Sequence, residues 1–314
     1  MSTKNDQTPK MDKFDATLGL RHRDIQHMLE ILSHPDATKA NKTKALRVLN
    51  SVLPGRQHEA DQLGAVEILV GFLLQPPNGL LLNCLVALNS IVITDLIAKK
   101  LIEYVPRLSE LISGENELPI RREAAKLIKL ITEFIGPDPA FLSGSIPSNL
   151  VSSVSGRDRD PEFLHHAFGF LSRLANKQTI RVPLIDNTDF LLNLIRSFSN
   201  SLLRMSALIL ASNIAMDPSH RGKIALIDSD VMSAIKPFLA ESDRDTRFSM
   251  LSLLSLLVVP KDGKQMIATD PEIPDIINNI AKNDPDETVK QAAQKVRIMV
   301  SELPIGKAIM GGFE

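Results

Sequence analysis

The segment GAVEILVGFLL, residues 64–74, opens on a small turn residue and continues as an apolar stretch. Similar apolar segments follow as EYVPRLSELI from residue 103, GSIPSNLVSSV from 144, TDFLLNLIRSF from 188, SDVMSAIKPFL from 229 and PEIPDIINNIA from 271. The matched positions, 39, 41, 43, 42 and 42 residues apart, are Val66, Val105, Ile146, Asp189, Val231 and Ile273. A unit of about 40 residues therefore repeats along the chain.

Each of these apolar segments is followed by a polar loop and then by a second, longer segment. The loops, among them SGENELP and KNDPDET, are rich in Asp, Ser and Pro. These residues supply N-cap acceptors and a first-turn position that needs no backbone N–H. The longer segments, such as RREAAKLIKLITEF from Arg121, carry apolar residues at i, i+3, i+4 and i+7. This spacing predicts α-helices throughout the repeats.

A period of this length with two or three helices per unit resembles armadillo and HEAT repeats. We therefore predict an all-α fold, an armadillo/HEAT-like right-handed superhelical solenoid of about seven repeats. The solenoid would span residues 21–302, with an N-terminal extension at 1–20 and a C-terminal tail at 303–314. Because each repeat rests on its neighbour, such a stack offers an extended surface for holding partners.

The composition argues against several other classes of protein. Of the 314 residues 44% are hydrophobic, and the net charge is −1, which gives no electrostatic basis for binding nucleic acid or a membrane surface. The apolar stretches are too short to span a bilayer, and no secretory signal is visible at the N-terminus. A single cysteine, Cys84, suits a reducing compartment. We expect a soluble protein of the cytoplasm or cytoskeleton.

One polar position recurs inside the longer helices, once per repeat. Aligned by intervals of 39, 40, 44, 40, 42 and 42 residues, its members are Asn50, Asn89, Lys129, Arg173, Asn213, Ser255 and Arg297. An Asn side chain can donate to and accept from the backbone of an extended peptide. These residues are therefore candidates for a partner-binding groove. The alternative is that they bond to neighbouring loops and join one repeat to the next.

The stretch ALILASNIA from Ala207 resembles the Ala-Leu-x-x-Leu-x-Asn-Leu pattern of the third helix of armadillo repeats. Nuclear-import receptors of this fold bind basic peptides through paired Trp and Asn side chains. This chain has no Trp, and the cations Lys129, Arg173 and Arg297 occupy three of the aligned polar positions. The resemblance therefore implies a protein-binding solenoid that is not a receptor for basic peptides.

The N-terminal stretch DATLGLRHRDIQHMLEILSHPD, from Asp15, resembles the radial spoke head 14 proteins of motile cilia. In that family a Leu-Gly-x-Arg segment leads into the first helix, and Leu18, Gly19 and Arg21 occupy the matching places. The stretch from Asp217 also runs parallel with the family. The resemblance implies a structural subunit of the axonemal radial spoke, located in the cilium or flagellum, with other spoke subunits as its protein partners.

The two ends of the chain carry further docking candidates. The C-terminal stretch LPIGKAIMGGFE contains the apolar residues Ile309 and Phe313. Such a tail either folds back onto the last repeat or inserts into a partner. Together with Leu18, Gly19 and Arg21, these two residues are candidates for terminal docking.

Glycine and cysteine give no sign of catalysis. The Gly-Lys pairs at Gly222, Gly263 and Gly306 lack the preceding glycine and following hydroxyl residue of a phosphate-binding loop. Cys84 falls in an apolar helix, where we expect an inert core thiol.

The histidines do not form a metal-ligand pattern. His22 and His27 are five residues apart, and His165 and His166 are adjacent, so neither pair shares one helix face. We expect no catalytic residue, metal, cofactor or small-molecule substrate. The chain is interpreted as a non-enzymatic scaffold; the alternative is a cytoplasmic adaptor or chaperone cofactor that binds clients transiently.

Overall fold

The computed structural model describes residues 25–75, 79–155, 160–241 and 243–302. Within these ranges the backbone forms α-helices joined by turns and short 3-10 segments, and it contains no strand. The chain divides into two compact units, with the boundary between Arg107 and Leu108. None of the described helices is both long enough and apolar enough to cross a membrane.

The first unit holds the first repeats. Its helices are α1 (Ile25–Ser33), α2 (Lys39–Val52), α3 (Gln57–Gln62), α4 (Ala65–Leu73), α5 (Leu81–Ile91) and α6 (Asp95–Lys100), followed by a 3-10 turn at Ile102–Tyr104. Helix α7 (Val105–Leu111) contains the boundary between the units. Helices α2 and α5 lie against each other, and α4 lies against both α1 and α5.

The second unit continues the same three-helix plan. Its helices are α8 (Leu118–Ile135), α9 (Ile146–Ser155), α10 (Pro161–Leu174), α11 (Gln178–Ile185), α12 (Thr188–Arg196), α13 (Arg204–Ala215), α14 (Arg221–Asp228), α15 (Val231–Glu241), α16 (Arg244–Leu257), α17 (Lys261–Thr269), α18 (Ile273–Asn283) and α19 (Glu287–Ser301). Short 3-10 turns lie at Pro139–Leu142 and Ser197–Ser199.

Each repeat ends in a long third helix. The described ranges contain seven of them, α2 and α5 in the first unit and α8, α10, α13, α16 and α19 in the second. The recurring apolar segment forms the second helix of each repeat, and the longer segment that follows it forms the third helix. The predicted helix type and the predicted number of about seven repeats are therefore confirmed.

Third helices stack directly on one another in the second unit, where α10 lies against both α8 and α13 and α16 lies against both α13 and α19. Small side chains at one repeated position, Ala124, Ala167 and Ala207, allow this approach and are fully buried. Leu171 and Leu254 beside them are also fully buried. Burying one such leucine contributes about 1.5–3 kcal/mol. The core of this unit therefore continues from each repeat into the next.

Side chains of the polar loops cap the third helices α2, α10, α16 and α19, whereas α5, α8 and α13 begin without a side-chain cap. Asp160 accepts a hydrogen bond from the backbone N–H of Phe163 at 2.8 Å, and Pro161 opens α10. Asp243 and Asp286 cap α16 and α19 in the same way. Each cap satisfies a helix N–H that has no partner inside the helix, which typically contributes about 1 kcal/mol.

Ion pairs also join residues about one repeat apart. With sequence separations of 34 to 42 residues, they are Lys100–Asp61 in the first unit and Arg122–Asp160, Arg173–Glu133, Arg181–Asp217, Arg221–Asp186, Lys236–Asp270, Arg247–Asp284, Arg244–Asp286 and Lys264–Glu302 in the second. The solvent-exposed pairs among them each contribute about 0–1 kcal/mol, whereas the pairs of Asp217 and Asp284 are buried. Their common separation shows that charge, as well as apolar contact, links successive repeats.

Two glycines mark the places where a first helix crosses the end of the preceding third helix. A Cβ on Gly222 of α14 would lie 2.1 Å from the carbonyl oxygen of Ile214, and a Cβ on Gly263 of α17 would lie 1.8 Å from that of Leu257. Only glycine allows so close an approach between two backbones. The Gly-Lys pairs at Gly222 and Gly263 therefore lie at contacts between helices.

We expect Gly222→Ala and Gly263→Ala each to lower the free energy of unfolding by about 1–3 kcal/mol, because the added methyl group forces the two backbones apart. Urea denaturation followed by circular dichroism measures the change. Gly114→Ala is the control, since no described heavy atom lies within 4 Å of its Cβ position. If Gly222→Ala and Gly263→Ala were both as stable as the parent, close contact between the helices would not explain these two Gly-Lys pairs.

Candidate partner-binding face

In each third helix of the second unit, one stripe of residues at i, i+4, i+7 and i+11 turns away from the core. This spacing places the members of a stripe one above another on one side of a helix. The stripes are Arg122, Lys126, Lys129 and Glu133 on α8; His165, Gly169 and Ser172 on α10; Met205, Ile209, Ser212 and Met216 on or just after α13; Phe248, Ser252, Ser255 and Val259 on or just after α16; and Gln291, Lys295 and Ile298 on α19. Together they form the third-helix face.

Neighbouring stripes touch one another. The aliphatic chain of Lys129 crosses Gly169, where an added Cβ would lie 2.9 Å from its Cδ and Cε. His165 Nδ1 lies 3.2 Å from the carbonyl oxygen of Leu202, just before α13. The stripes of α8, α10 and α13 therefore belong to one continuous surface of this unit.

The centre of the third-helix face is apolar and open to solvent. Ile209 is 49% exposed, Met216 56% and Val259 45%, and Met205 and Phe248 beside them are also exposed. Large hydrophobic side chains that are exposed singly are ordinary, but a contiguous group on two adjacent helices marks an interaction site. This group makes α13 and α16 the centre of the candidate site.

The α8 and α10 end of the face is basic. Arg173 donates to Glu133 Oε1 at 3.1 Å, and Lys129 Nζ lies 3.7 Å from the same oxygen. Lys126 is exposed and makes no ion pair with a described residue. Arg173 and Lys129 therefore share one carboxylate, and with Lys126 they give this group of side chains a net positive charge.

His166 lies beside these cations. Its pKa is lowered to about 4, first by burial and then by the positive charges of His165, Lys129 and Lys126. Its Nδ1 is buried and has no hydrogen-bond partner among the described residues. The ring is therefore neutral at neutral pH, and the cause of the shift agrees with a positive local field.

Between α16 and α19 the face deepens into a groove of about 400 Å³. The groove is lined by Phe248, Leu251, Ser252, Ser255, Thr288, Gln291, Ala292 and Lys295. Arg244 joins its two walls, because its guanidinium group lies 5.6 Å from the centre of the Phe248 ring and donates to Thr288 Oγ1 at 2.8 Å. An apolar floor with polar walls suits an extended peptide segment.

The predicted polar ladder is not one structural position. When the third helices are aligned on their buried residues, Asn50, Asn89, Lys129 and Ser255 share one register, Arg173 and Asn213 fall one residue later, and Arg297 falls one residue earlier. In α10, α13 and α19 the residues at the shared register are Ser172, Ser212 and Ile298. The loops between helices differ in length, so an alignment by sequence interval can shift a residue by one position.

Two of the ladder asparagines bond to neighbouring helices. Asn213 donates to the carbonyl oxygen of Ser172 on α10 at 2.6 Å, and Asn50 donates to that of Asn83 on α5 at 3.1 Å. Asn89 is itself buried, with 8% of its surface exposed. This geometry supports the alternative in which these side chains join one repeat to the next. The half-buried Ser255 is the ladder residue that lines the groove.

The remaining candidates are the single cysteine, possible metal ligands and the terminal docking residues. Cys84 is buried, its Sγ donates to the carbonyl oxygen of Leu69 at 3.0 Å, and burial raises the pKa of its thiol. In the described part of the chain no group of three or more His, Cys, Asp or Glu residues is placed to hold a metal ion. The terminal docking candidates, outside the described residues, are Leu18, Gly19, Arg21, Ile309 and Phe313.

The recurring polar residues of the sequence do not indicate the apolar centre of the face. A signal for it was present in RMSALILASNIAM, residues 204–216, which is nearly as apolar on its outer side as on its buried side. A helix that is hydrophobic all round is either fully buried or covered by a partner. Met205, Ile209 and Met216 are the residues that this signal identifies.

Solved structures confirm the fold. An engineered protein from the Northeast Structural Genomics Consortium aligns with a TM-score of 0.74 over 94% of this chain and 72% of its own, at 17% identity. A designed armadillo repeat protein in complex with the peptide (KR)4 aligns at 0.60 over 74% of this chain and 99% of its own, at 18% identity. Another designed armadillo repeat protein aligns at 0.57 over 88% and 100%, at 15% identity.

Comparison of the sequence itself gave no relatives: no protein-family model matches, and neither does any curated protein. At identities below 25% the structural likeness shows the fold alone. The chain therefore has the all-α armadillo solenoid fold, which is typical of protein-binding scaffolds.

We expect Asn213→Ala to lower the free energy of unfolding by about 1 kcal/mol, because it removes the hydrogen bond to Ser172 on the neighbouring helix. Ser255→Ala is the matched control, since its hydroxyl donates to Ser252 within the same helix. We expect that change to stay within about 0.5 kcal/mol of the parent. Equal losses for the two variants, measured by urea denaturation, would contradict the joining role of Asn213.

The depressed pKa of His166 makes stability depend on pH. The unfolded chain takes up the proton near the ordinary value of 6.5, while the folded chain does so only near 4. The contribution of the neutral His166 ring to stability is therefore fully present above pH 6.5 and is lost as the pH falls from 6.5 through 4. His166→Gln, which cannot take up this proton, should lose less stability than the parent between pH 7 and pH 4.5 in urea titrations. Identical pH slopes would show that His166 contributes nothing.

Proposed function

We propose that this protein is a non-enzymatic structural scaffold that binds segments of partner proteins along the third-helix face, as a subunit of the radial spoke of the ciliary axoneme. The observation that carries the proposal is the contiguous exposed group of large hydrophobic side chains on α13 and α16, among them Ile209, Met216 and Val259. Covering such a group contributes about 25 cal/mol per Å² of apolar surface removed from water. A partner that lies across both helices gains this free energy.

The solenoid fold supports this use of the surface. Stacked repeats hold their third helices in fixed order, so that recognition groups recur at regular intervals along an extended partner. The designed armadillo repeat protein with a similar fold is in complex with a peptide. Among the described residues the apolar centre, the basic end and the groove lie on the same set of third helices, which suits a long segment better than a small molecule.

The radial spoke assignment rests on the sequence resemblance around Leu18, Gly19 and Arg21 and along the stretch from Asp217. A subunit built permanently into an assembly keeps its apolar face covered. A transient cytoplasmic adaptor or chaperone cofactor, in contrast, exposes that face for much of its lifetime.

Fluorescent tagging in a ciliated cell tests the proposal. We expect axonemal signal and co-purification with spoke proteins at fixed stoichiometry through high-salt extraction, because apolar contacts are weakened little by salt. Diffuse signal with recovery as a free monomer would contradict a built-in scaffold. Salt-sensitive, substoichiometric association would instead favour the transient adaptor.

A pair of variants tests the surface itself. Ile209→Asp places a charge in the apolar centre and should abolish retention, whereas Ile224→Asp changes a residue that is 43% exposed on the first helix α14 and should not. Circular dichroism of both purified variants checks that each remains folded. Equal retention of the two variants would contradict binding through the third-helix face.

A further inference from the structure

We infer that the groove between α16 and α19 binds a partner segment that carries apolar side chains together with carboxylates. This inference rests on the proposed function, because the segment belongs to a protein held on the third-helix face. It adds the chemistry of that segment and the place where it is recognised.

The apolar requirement comes from the floor and one wall of the groove. Leu251 and Ala292 lie at its base, and Phe248 is exposed along its side. A volume of about 400 Å³ accommodates a side chain of the size of leucine together with part of its backbone. Shape and surface therefore favour a large aliphatic residue at this point of the partner.

Some polar side chains of the groove already make hydrogen bonds within the chain, and others do not. The Ser252 and Ser255 hydroxyls donate to carbonyl oxygens of their own helix at 2.8 and 2.7 Å, and Thr288 accepts from Arg244. The amide of Gln291 makes no hydrogen bond with a described residue and is exposed. A primary amide can donate to and accept from a peptide backbone, so Gln291 suits an extended segment.

The carboxylate requirement comes from Lys295. It is exposed on the groove wall, is the one charged residue of the lining, and forms no ion pair with a described residue. Its neighbours are balanced, since Arg244 bonds to Asp286 at 3.2 Å and Lys290 lies 3.6 Å from Glu287. Lys295 is therefore an exposed cation that is available to a carboxylate of a partner segment.

The other end of the third-helix face has the same sign. Lys126 is unbalanced there, and Lys129 and Arg173 share the carboxylate of Glu133. A segment with carboxylates on both sides of an apolar stretch complements the face from end to end. A basic peptide would meet like charges at both ends, at a cost that grows as salt is lowered.

Fluorescence anisotropy of the full chain with labelled peptides tests the inference. The probes are (SLE)4, its charge-reversed partner (SLK)4, and (SSE)4, which lacks the apolar side chain; (KR)4 serves as a basic reference. We expect (SLE)4 to bind at least about tenfold more tightly than each of the others, which corresponds to about 1.4 kcal/mol.

Substitutions locate the binding. Lys295→Glu should weaken (SLE)4 binding about tenfold and strengthen (SLK)4 binding, because the sign of the groove is reversed. Phe248→Ser should weaken (SLE)4 binding without reversing the preference for charge. Lys282→Glu is the matched control, since Lys282 is exposed on α18 outside the groove, and it should leave both affinities unchanged.

Equal affinity for (SLE)4 and (SLK)4, or equal effects of Lys295→Glu and Lys282→Glu, would overturn the inference. Binding of (SLE)4 that appears only in a Phe313→Ser chain would also overturn it and assign the groove to the chain's own C-terminal residues. Axonemal retention with no preference for (SLE)4 defeats this inference alone. A clear preference without retention in any assembly defeats only the proposed function.

Discussion

The stacking of third helix on third helix determines both the stability and the surface of the second unit. Helices α10, α13 and α16 each lie between two others, so that their flanks are buried and one stripe of residues remains outside. Fully buried Ala167 and Ala207 permit this close approach. Because the stripe has helical spacing, only every third or fourth residue can contact a partner. The chemistry of those few positions therefore decides what the face can bind.

On these helices polar residues join successive repeats, whereas exposed apolar residues are available for contact with a partner. Several charged side chains form ion pairs about one repeat apart, and Asn213 is bonded to the neighbouring helix. Such groups hold successive repeats in register. What remains free for recognition is an apolar centre around Ile209 and Met216, with the unbalanced cations Lys126 and Lys295 on either side. A designed protein of similar fold is in complex with the basic peptide (KR)4, whereas we infer that this face favours a segment with carboxylates.

The sequence predicts the fold well because helix type and stacking both follow from apolar spacing. The recurring segment that begins at Gly64 gives the period, the helix type and a number of about seven repeats. It did not give the division at Arg107, since the period continues across that point. The alignment of the longer helices by sequence interval misplaced Arg173, Asn213 and Arg297 by one residue, because loop lengths vary while helical register does not. Ion pairing one repeat apart depends on side-chain geometry that no interval count contains.

The central claim is that partners lie on the third-helix face, and site-specific photo-crosslinking in the cell tests it most directly. A photoreactive residue is placed at Val259, on the face, or at Ile224, on a first helix; these side chains are 45% and 43% exposed. The account predicts discrete crosslinked adducts with partner proteins from position 259 and few from position 224. Adducts from position 224 with none from position 259 would contradict it.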